Sequence, residues 1–329
     1  MNSDIDFVIF WVDGSDPEWR AEKERYAPKE IVSNATNRFR DWGVLQYLFR
    51  GIEKFAPWVR KIHFVTCGHL PSWLNKENPK LHIVSHKDYI PKKFLPTFNS
   101  SVIELFTHRI PQLSKKFVLF NDDMFLIKPV PPSFFFKRGM PCDRALLGIV
   151  SPYDQFSFIK LNNWAVINHH FDKRQTIKAH LLRFFNPLYG VQNLRNLVLS
   201  LWPGFFGMND PHLPYAYRKE IFEEVWSKEE SLLNEVASHK FRQKDDVSEW
   251  LMRYWQLLKG EFVPSMLKGR TFVFKPGRMN EYIYEKVRSQ SCHMICLNDS
   301  NPDVDFEYEK GCLNSAFQTI LPEKSTFEL

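Results

Sequence analysis

The run from Lys116 to Leu126, KFVLFNDDMFL, decides how the rest of the chain is read. Phe117, Val118, Leu119 and Phe120 make a short apolar run of the kind a buried strand shows, and it stops at Asn121, Asp122 and Asp123. In an open α/β sheet, ligands bind in the crevice outside the carboxyl ends of the strands. Two carboxylates placed there need a counterion, and a divalent cation shared with phosphate oxygens supplies one, since Mg²⁺ is usually held by one or two carboxylates plus substrate phosphates. The same pair also suits a turn in which one aspartate caps and the other is solvated. Taken alone, the run supports both readings.

Working outward, Ile5 to Trp11 is apolar throughout, as in a strand covered on both faces. It feeds a turn, Asp13-Gly14-Ser15-Asp16-Pro17, that is rich in carboxylates and carries a permissive glycine. Lys61 to Cys67 and Leu81 to Ser85 read as further strands. Between the first two, Leu45, Leu48, Phe49 and Ile52 fall on one face of a helix running from about Val44 to Phe55, which also contains Arg50. Strands alternating with helices predict a mostly parallel sheet with right-handed crossovers, an α/β Rossmann-like fold. Before the Phe117 strand, Asn99 or Ser100 is a natural N-cap for a helix with Ile103, Phe106 and Ile110 inward; such an end can also receive phosphate. Capping is the simpler reading.

Beyond Pro132 the pattern loosens. Arg144 to Val150 and Trp164 to Ile167 read as short strands, and Lys173 to Phe206 as a helical stretch mixing basic and bulky apolar groups. That stretch suits a membrane surface or a lipid-linked acceptor, although an amphipathic helix packed on its own core has the same composition. Asn209-Asp210-Pro211-His212-Leu213-Pro214 follows, where two prolines restrict the backbone around a histidine, and neutral imidazole is well poised to take a proton from an alcohol. Arg242 precedes an expected helix whose dipole Asp245 and Asp246 would favour, and its guanidinium can clamp a phosphate bidentately. Late strands are expected at Arg270 to Phe274 and at Met294 to Leu297, the second ending in Asn298-Asp299. The organisation expected is a nucleotide-sugar-binding half over 1–132, a largely helical insertion over 133–207, and the rest of the catalytic domain over 208–329.

The chain has 329 residues, enough for a sizeable core. Its 30 Phe, 11 Tyr and 10 Trp suit both a packed core and sugar-stacking surfaces. The formal net charge of +6 is spread without a long basic block, and no nucleic-acid-binding module signature is present, so nucleic acid is not an expected partner. Cys67, Cys142, Cys292, Cys296 and Cys312 form no paired framework and read as reduced thiols of a cytoplasmic protein. Cys292 and Cys296, with His293 between them, lack the second ligand pair of a structural zinc site. No secretory signal or bilayer-crossing run is expected.

Four separated stretches together resemble the Stealth family, the sugar-phosphate transferases of bacterial capsule and surface-polysaccharide synthesis that are related to the animal N-acetylglucosamine-1-phosphotransferase. They are Ile5 to Pro17, Arg38 to Phe125 (with APWVRKIHFVT, LPSWLN, LPTFNSSVIE, HRIP and FNDDMF), Asn209 to Arg242, and Ile295 to Asp299. The resemblance implies a glycosyltransferase-A-like sheet and transfer of hexose-1-phosphate from a UDP-sugar to a hydroxyl of an oligosaccharide or lipid-linked saccharide, releasing UMP. A divalent metal, Mg²⁺ or Mn²⁺, would sit at Asp122 and Asp123, and the enzyme would work in the cytoplasm, at the inner face of the membrane. Residue by residue, His212 matches the base, Arg242 the phosphate-binding arginine and Asp123 a polar position of the active centre. Trp11, Asp13, Gly14, Ser15, Asp16, Arg38, Arg50, Asn99, Ser100, Glu104 and Asn298 match substrate-binding positions. Arg40, Trp42 and Gly43, and the turn Cys67-Gly68-His69, depart from the family pattern and bear on acceptor preference. The alternatives are a metal-dependent glycosyltransferase that releases UDP, and a non-catalytic sugar- or membrane-binding protein.

Overall fold

A computed structural model describes residues 4–27, 40–266 and 268–329. Arg38 lies outside the described residues. The strands are β1 (Ile5–Phe10), β2 (Ile62–Thr66), β3 (Leu81–Ser85), β4 (Lys116–Asn121), β5 (Met124–Leu126), β6 (Phe136–Lys137), β7 (Met140–Asp143), β8 (Tyr215–Arg218), β9 (Val263–Pro264), β10 (Gly269–Val273) and β11 (Met294–Asn298). The helices are α1 (Pro17–Tyr26), α2 (Leu45–Phe55), α3 (Ser100–Leu105), α4 (Gln155–His170), α5 (Lys173–Ala179), α6 (Leu181–Phe184), α7 (Gln192–Ser200), α8 (Lys219–Lys228), α9 (Glu230–Ser238), α10 (Trp250–Leu258), α11 (Glu281–Arg288) and α12 (Phe306–Ile320).

The main sheet has the order β3-β2-β1-β4-β8. Its first four strands are parallel, and β8 runs antiparallel at the edge beside β4. The α/β, mostly parallel, helix-flanked architecture expected from the alternating pattern is therefore present. The chain leaves β1 toward β2 on one side and later returns to place β4 on the other, so the gap beyond the carboxyl ends of β1 and β4 is the topological switch point, where Phe10 pairs with Asn121. Because β8 is antiparallel, with Tyr215 opposite Leu119, its entering end lies at this same edge.

The second sheet grows out of the acidic turn itself. After Asn121 the chain reverses into β5, which pairs antiparallel with β11, and β11 pairs in parallel with β10. The turn is pinned from behind by the Leu297 amide, which donates to the Asp123 carbonyl at 2.9 Å. α2 packs closely on this strand: a Cβ at Gly51 would stand 2.6 Å from the Leu126 carbonyl oxygen, so only glycine allows that approach. A small sheet, β6-β7-β9, lies further out.

Three local expectations are corrected. Trp164 to Ile167 is not a strand but part of α4, whose Trp164 and Ile167 face inward at helical spacing; an apolar tetrad has no period of its own. Arg144 to Val150 is not a full strand: it lies antiparallel to 206–209 through the bridge Leu147 to Met208 and the bonds of Gly148 and Val150 to the Gly207 and Phe206 carbonyls. Asp245 and Asp246 do not open a helix, since α10 begins at Trp250 and Asp246 is buried as a hydrogen-bond acceptor. The polar tail after Asn301 contains a helix, α12, whose N-cap Asp305 accepts from the Tyr308 amide.

Candidate functional site

The acidic turn contributes one aspartate inward and one outward. Asp122 is exposed. Asp123 is half-buried and meets two partners brought by other elements: Cys296 on β11, with Sγ 3.2 Å from Oδ2, and His212, with Nδ1 3.9 Å from Oδ2. Cys296 Sγ lies 3.4 Å from His212 Nδ1, and on the other side of the imidazole Asn121 Nδ2 is 3.2 Å from Nε2. The thiol is held well above its ordinary range by burial first and by the Asp123 carboxylate second. The expected pairing of Asp122 with Asp123 is thus replaced by Asp123, His212 and Cys296. Asp123 leads directly into β5, whose Met124 pairs with Cys296 on β11, and this pairing sets its carboxylate beside the thiol.

His212 is set by more than its prolines. Asp210, two positions earlier, accepts from Arg253 Nη1 at 2.5 Å and from the Tyr254 hydroxyl at 2.7 Å, both on α10. Arg253 is fully buried and also bonds both carboxylate oxygens of Asp143, at 2.7 and 2.8 Å. The His212 carbonyl accepts from Thr271 Oγ1 at 2.8 Å. One buried guanidinium between two carboxylates therefore anchors the histidine segment to α10 and β7.

A second group forms around α3. Asn99 caps that helix by accepting from the Ser101 amide and donates Nδ2 to Asp246 at 2.8 Å. Asp246 also accepts from His239 Nδ1 at 2.6 Å and from the Gln243 amide at 2.9 Å. These bonds close the loop before α10 against α3 and bring Arg242 Nη2 to 2.5 Å from Ser100 Oγ. Glu104, on the same helix, keeps partial solvent contact but is surrounded by protein. Its proton affinity is raised strongly by burial, then by the charge of and hydrogen bond with Glu249, against the pull of Arg242. Asp123 raises it further, so the two groups share one electrostatic field. Glu104, Glu249, Asn121 and His212 line a single cleft, walled by Phe10 and Trp250, beyond the ends of β1 and β4.

The turn after β1 is built largely from its own side chains. Asp13 accepts from the Ser15 amide and hydroxyl at 2.8 and 2.6 Å; burial opposes ionisation, yet these bonds hold its carboxyl below the usual range. Asp16 caps α1, and Arg20 Nε reaches the Gly14 carbonyl at 2.5 Å. His69 Nε2 accepts from the Asp13 amide, and its ring stands edge-on to Trp11, which stacks on Phe64. The departure at Cys67-Gly68-His69 thus supports this turn directly.

Arg50 is not brought to the cleft. Its guanidinium bonds both oxygens of Glu328 at 2.8 and 2.6 Å and the Leu321 carbonyl at 3.0 Å, so it clamps the C-terminal segment onto α2. Asn298 shares the face of β11 that carries Cys296 but sits at the strand's end, beside Asp299, which accepts from Trp42 Nε1 at 3.1 Å. Sequence reading missed Glu249, Cys296 and the Asp143–Arg253–Asp210 triad. Their only signals were polar residues at positions facing inward on otherwise apolar elements.

The fit of a metal can be judged from the donor atoms. Oxygen, nitrogen and sulfur atoms of Asp123, His212 and Cys296 lie within 4.8 Å of one another, and Asp123 Oδ1 is buried with no hydrogen-bond partner among the described residues. The unpartnered oxygen suits a cation. A thiol and imidazole do not suit Mg²⁺, which takes oxygen ligands, so for that ion Asp123 is the one matching donor of the three. His239, Asp245 and Asp246 also approach one another, but Asp246 is already saturated by Asn99, His239 and Gln243. All five cysteines are free, and Cys292 takes no part in the cluster.

Comparison with known proteins shows the family. Models of the Stealth protein conserved regions match residues 3–30 (region 1), 38–142 (region 2) and 211–255 (region 3). The chain is 40% identical over 333 residues to the capsular polysaccharide phosphotransferase WcwK of Streptococcus pneumoniae, with all of both chains covered. It is 41% identical over 330 residues to the exopolysaccharide phosphotransferase cps2G of Lactiplantibacillus plantarum, covering 99% of this chain and 96% of that one. It is 34% identical over 333 residues to the receptor polysaccharide phosphotransferase WefC of Streptococcus oralis, covering 99% of each. Among solved structures, an active-site mutant of LgtC aligns over 94% of this chain and 95% of that one with a TM-score of 0.40 and 10% identity, too distant to bear on the chemistry. The matched regions carry the cleft residues Glu104, Asn121, His212 and Glu249 together with Asp123 and Arg242, and the chain belongs to the Stealth family as an enzyme of the phosphotransferase kind.

Proposed function

We propose that the protein transfers hexose-1-phosphate from a UDP-sugar to a hydroxyl of an oligosaccharide or lipid-linked saccharide, in the synthesis of a capsular or exopolysaccharide. The observation that supports this most directly is that His212 and Glu104, far apart in sequence, line one cleft at the switch point, with Asp123 beside His212 and with Arg242, bonded to Ser100, acting electrostatically on Glu104. Phosphoryl-type transfer asks a protein for positioning, charge neutralisation and a base for the incoming hydroxyl. In this reading the turn Trp11 to Asp16 receives the nucleotide, and Arg242, steadied by Ser100, neutralises the diphosphate. His212 takes the acceptor proton at Nε2 while Asp123, at its other nitrogen, stabilises the imidazolium. The acceptor oxygen bonds to the phosphorus next to the sugar, the bridging P–O bond breaks, and UMP leaves with that electron pair. Asp123 Oδ1 would hold a divalent cation, Mg²⁺ or Mn²⁺, whose charge offsets that of the phosphates.

In this reading the reaction runs in the cytoplasm. Incubation with a panel of UDP-sugars and short saccharide acceptors, followed by nucleotide chromatography and phosphorus NMR, tests the reading. A phosphodiester product with UMP is expected. UDP with no phosphorus in the saccharide product would instead establish a glycosyltransferase.

A further inference from the structure

The segment over residues 173–209 contains no aspartate or glutamate, while Arg174, Lys178 and Arg195 are exposed and Arg183 is half-buried, so its surface is basic. The same segment holds most of the exposed bulky apolar surface of the described residues. Val191 is 92% exposed, Leu182 77%, Leu201 73%, Leu194 66% and Trp202 51%. Patches of this kind mark surfaces that meet a partner or a membrane.

The outward direction of these side chains is built in. Of the residues of α7, only Asn196 is buried. Its side chain accepts from the Leu147 amide at 2.7 Å and donates to the carbonyls of Ala145 and Phe184 at 2.8 and 2.5 Å. α7 is therefore inside out: a polar residue anchors its inner face, and Leu194, Leu197 and Val198 are turned away from the core. Buried Lys173 fixes the far end of the stretch by donating Nζ to the carbonyls of Leu199, Trp202 and Gly204. Leaving these groups in water has no stabilising return for the isolated chain.

Charge selects the occupant. A second copy docking on this patch by two-fold symmetry would set cation against cation, because the segment has no acid of its own to answer them. An anionic lipid surface complements both features at once, taking leucines and tryptophan at the acyl boundary and arginine and lysine at the headgroups. Among the described residues no helix is long and apolar enough to cross a membrane, so contact would be from one side. We infer that α5, α6, α7 and the segment through Phe206 form a docking surface for an anionic bilayer. From exposed Phe206 the chain reaches His212 within about 20 Å of extended backbone, so a docked enzyme would hold its cleft near the membrane plane.

The test is flotation of the full chain with vesicles of phosphatidylcholine alone and of phosphatidylcholine mixed with phosphatidylglycerol, at low and high salt. Binding to the mixed vesicles only, weakening with salt, is expected. Lys178→Gln and Arg195→Gln should each lower partitioning about fivefold. The combined variant Leu194→Ser, Leu197→Ser, Leu201→Ser should remove it while the circular dichroism spectrum stays unchanged. Equal binding to neutral vesicles, binding that these variants retain, or no binding at all would overturn the inference. So would light scattering that shows a dimer which the serine variant dissolves. No sugar donor enters the assay, so its failure is separate from failure of the transfer reaction.

Discussion

His212 and Glu104 occupy one cleft but are governed by different forces. The histidine is a positioned group, held by Asn121 on one side and by Asp123 and Cys296 on the other. His212→Ala should lower turnover about 10²- to 10⁴-fold, as removal of a general base does, with the melting temperature unchanged within a few degrees. Near-normal turnover in the folded variant would remove His212 from the reaction. Glu104 is a tuned group, whose carboxyl is raised by burial first and by the neighbouring Glu249 second. Replacing Glu249 with Gln removes the like charge and must lower the Glu104 value. If protonated Glu104 is the active form, the alkaline limb of kcat/KM moves to lower pH in Glu249→Gln, which a pH–rate profile of both enzymes reads directly.

Single elements are positioned by buried ion pairs more than by propensity. α2 reads clearly as a helix from its apolar face, but what lies against that face is decided at the far end of the chain, where Glu328 returns to meet Arg50. The pair is shielded from water, with side-chain exposures of 9% and 4%. Breaking one half of a buried pair costs about 3–5 kcal/mol. Arg50→Gln should therefore lose stability on that order in urea unfolding while the KM for the sugar nucleotide stays as in the parent. A selective rise in that KM would return Arg50 to the donor site. The same logic holds α10 to the histidine segment through Arg253. The short strand read at Trp164 failed for a related reason: four apolar residues pack equally well in either conformation, and the stacking of Trp164 on Tyr254 at 4.0 Å is visible only in three dimensions.

At the scale of the molecule, chemistry and stability occupy opposite ends of the main sheet. The carboxyl ends of β1 and β4 form the cleft, while near the amino end of β1 the fully buried Asp6 accepts from His63 on β2, from Arg60 and from the Ser114 amide before β4. Burial would raise the Asp6 carboxyl, but these three partners outweigh it and hold it below 3.8. A depressed carboxyl contributes stability in full above its unfolded value and loses it as pH falls through the folded one. Asp6→Asn should thus flatten the acid slope of stability below about pH 4 and lower the melting temperature at neutral pH, without altering KM. An unchanged slope in acid denaturation would show that Asp6 contributes nothing to it.

By itself the sequence determined the parallel order of the strands, the helix at α2, a cap at Asn99 or Ser100 and the candidates His212, Arg242 and Asp123. Each depends on local information: hydrophobic period, turn chemistry, or a motif contained within a few residues. Only the tertiary structure decided that Asp123 faces His212 and Cys296 while Asp122 faces water, that Glu249 stands against Glu104 and raises its proton affinity, and that Arg50 serves the C-terminal segment. Those outcomes depend on which distant backbone arrives opposite a side chain. Residues separated by tens or hundreds of positions leave no common period to read, and a buried charge shows its role only once its counter-charge is in place.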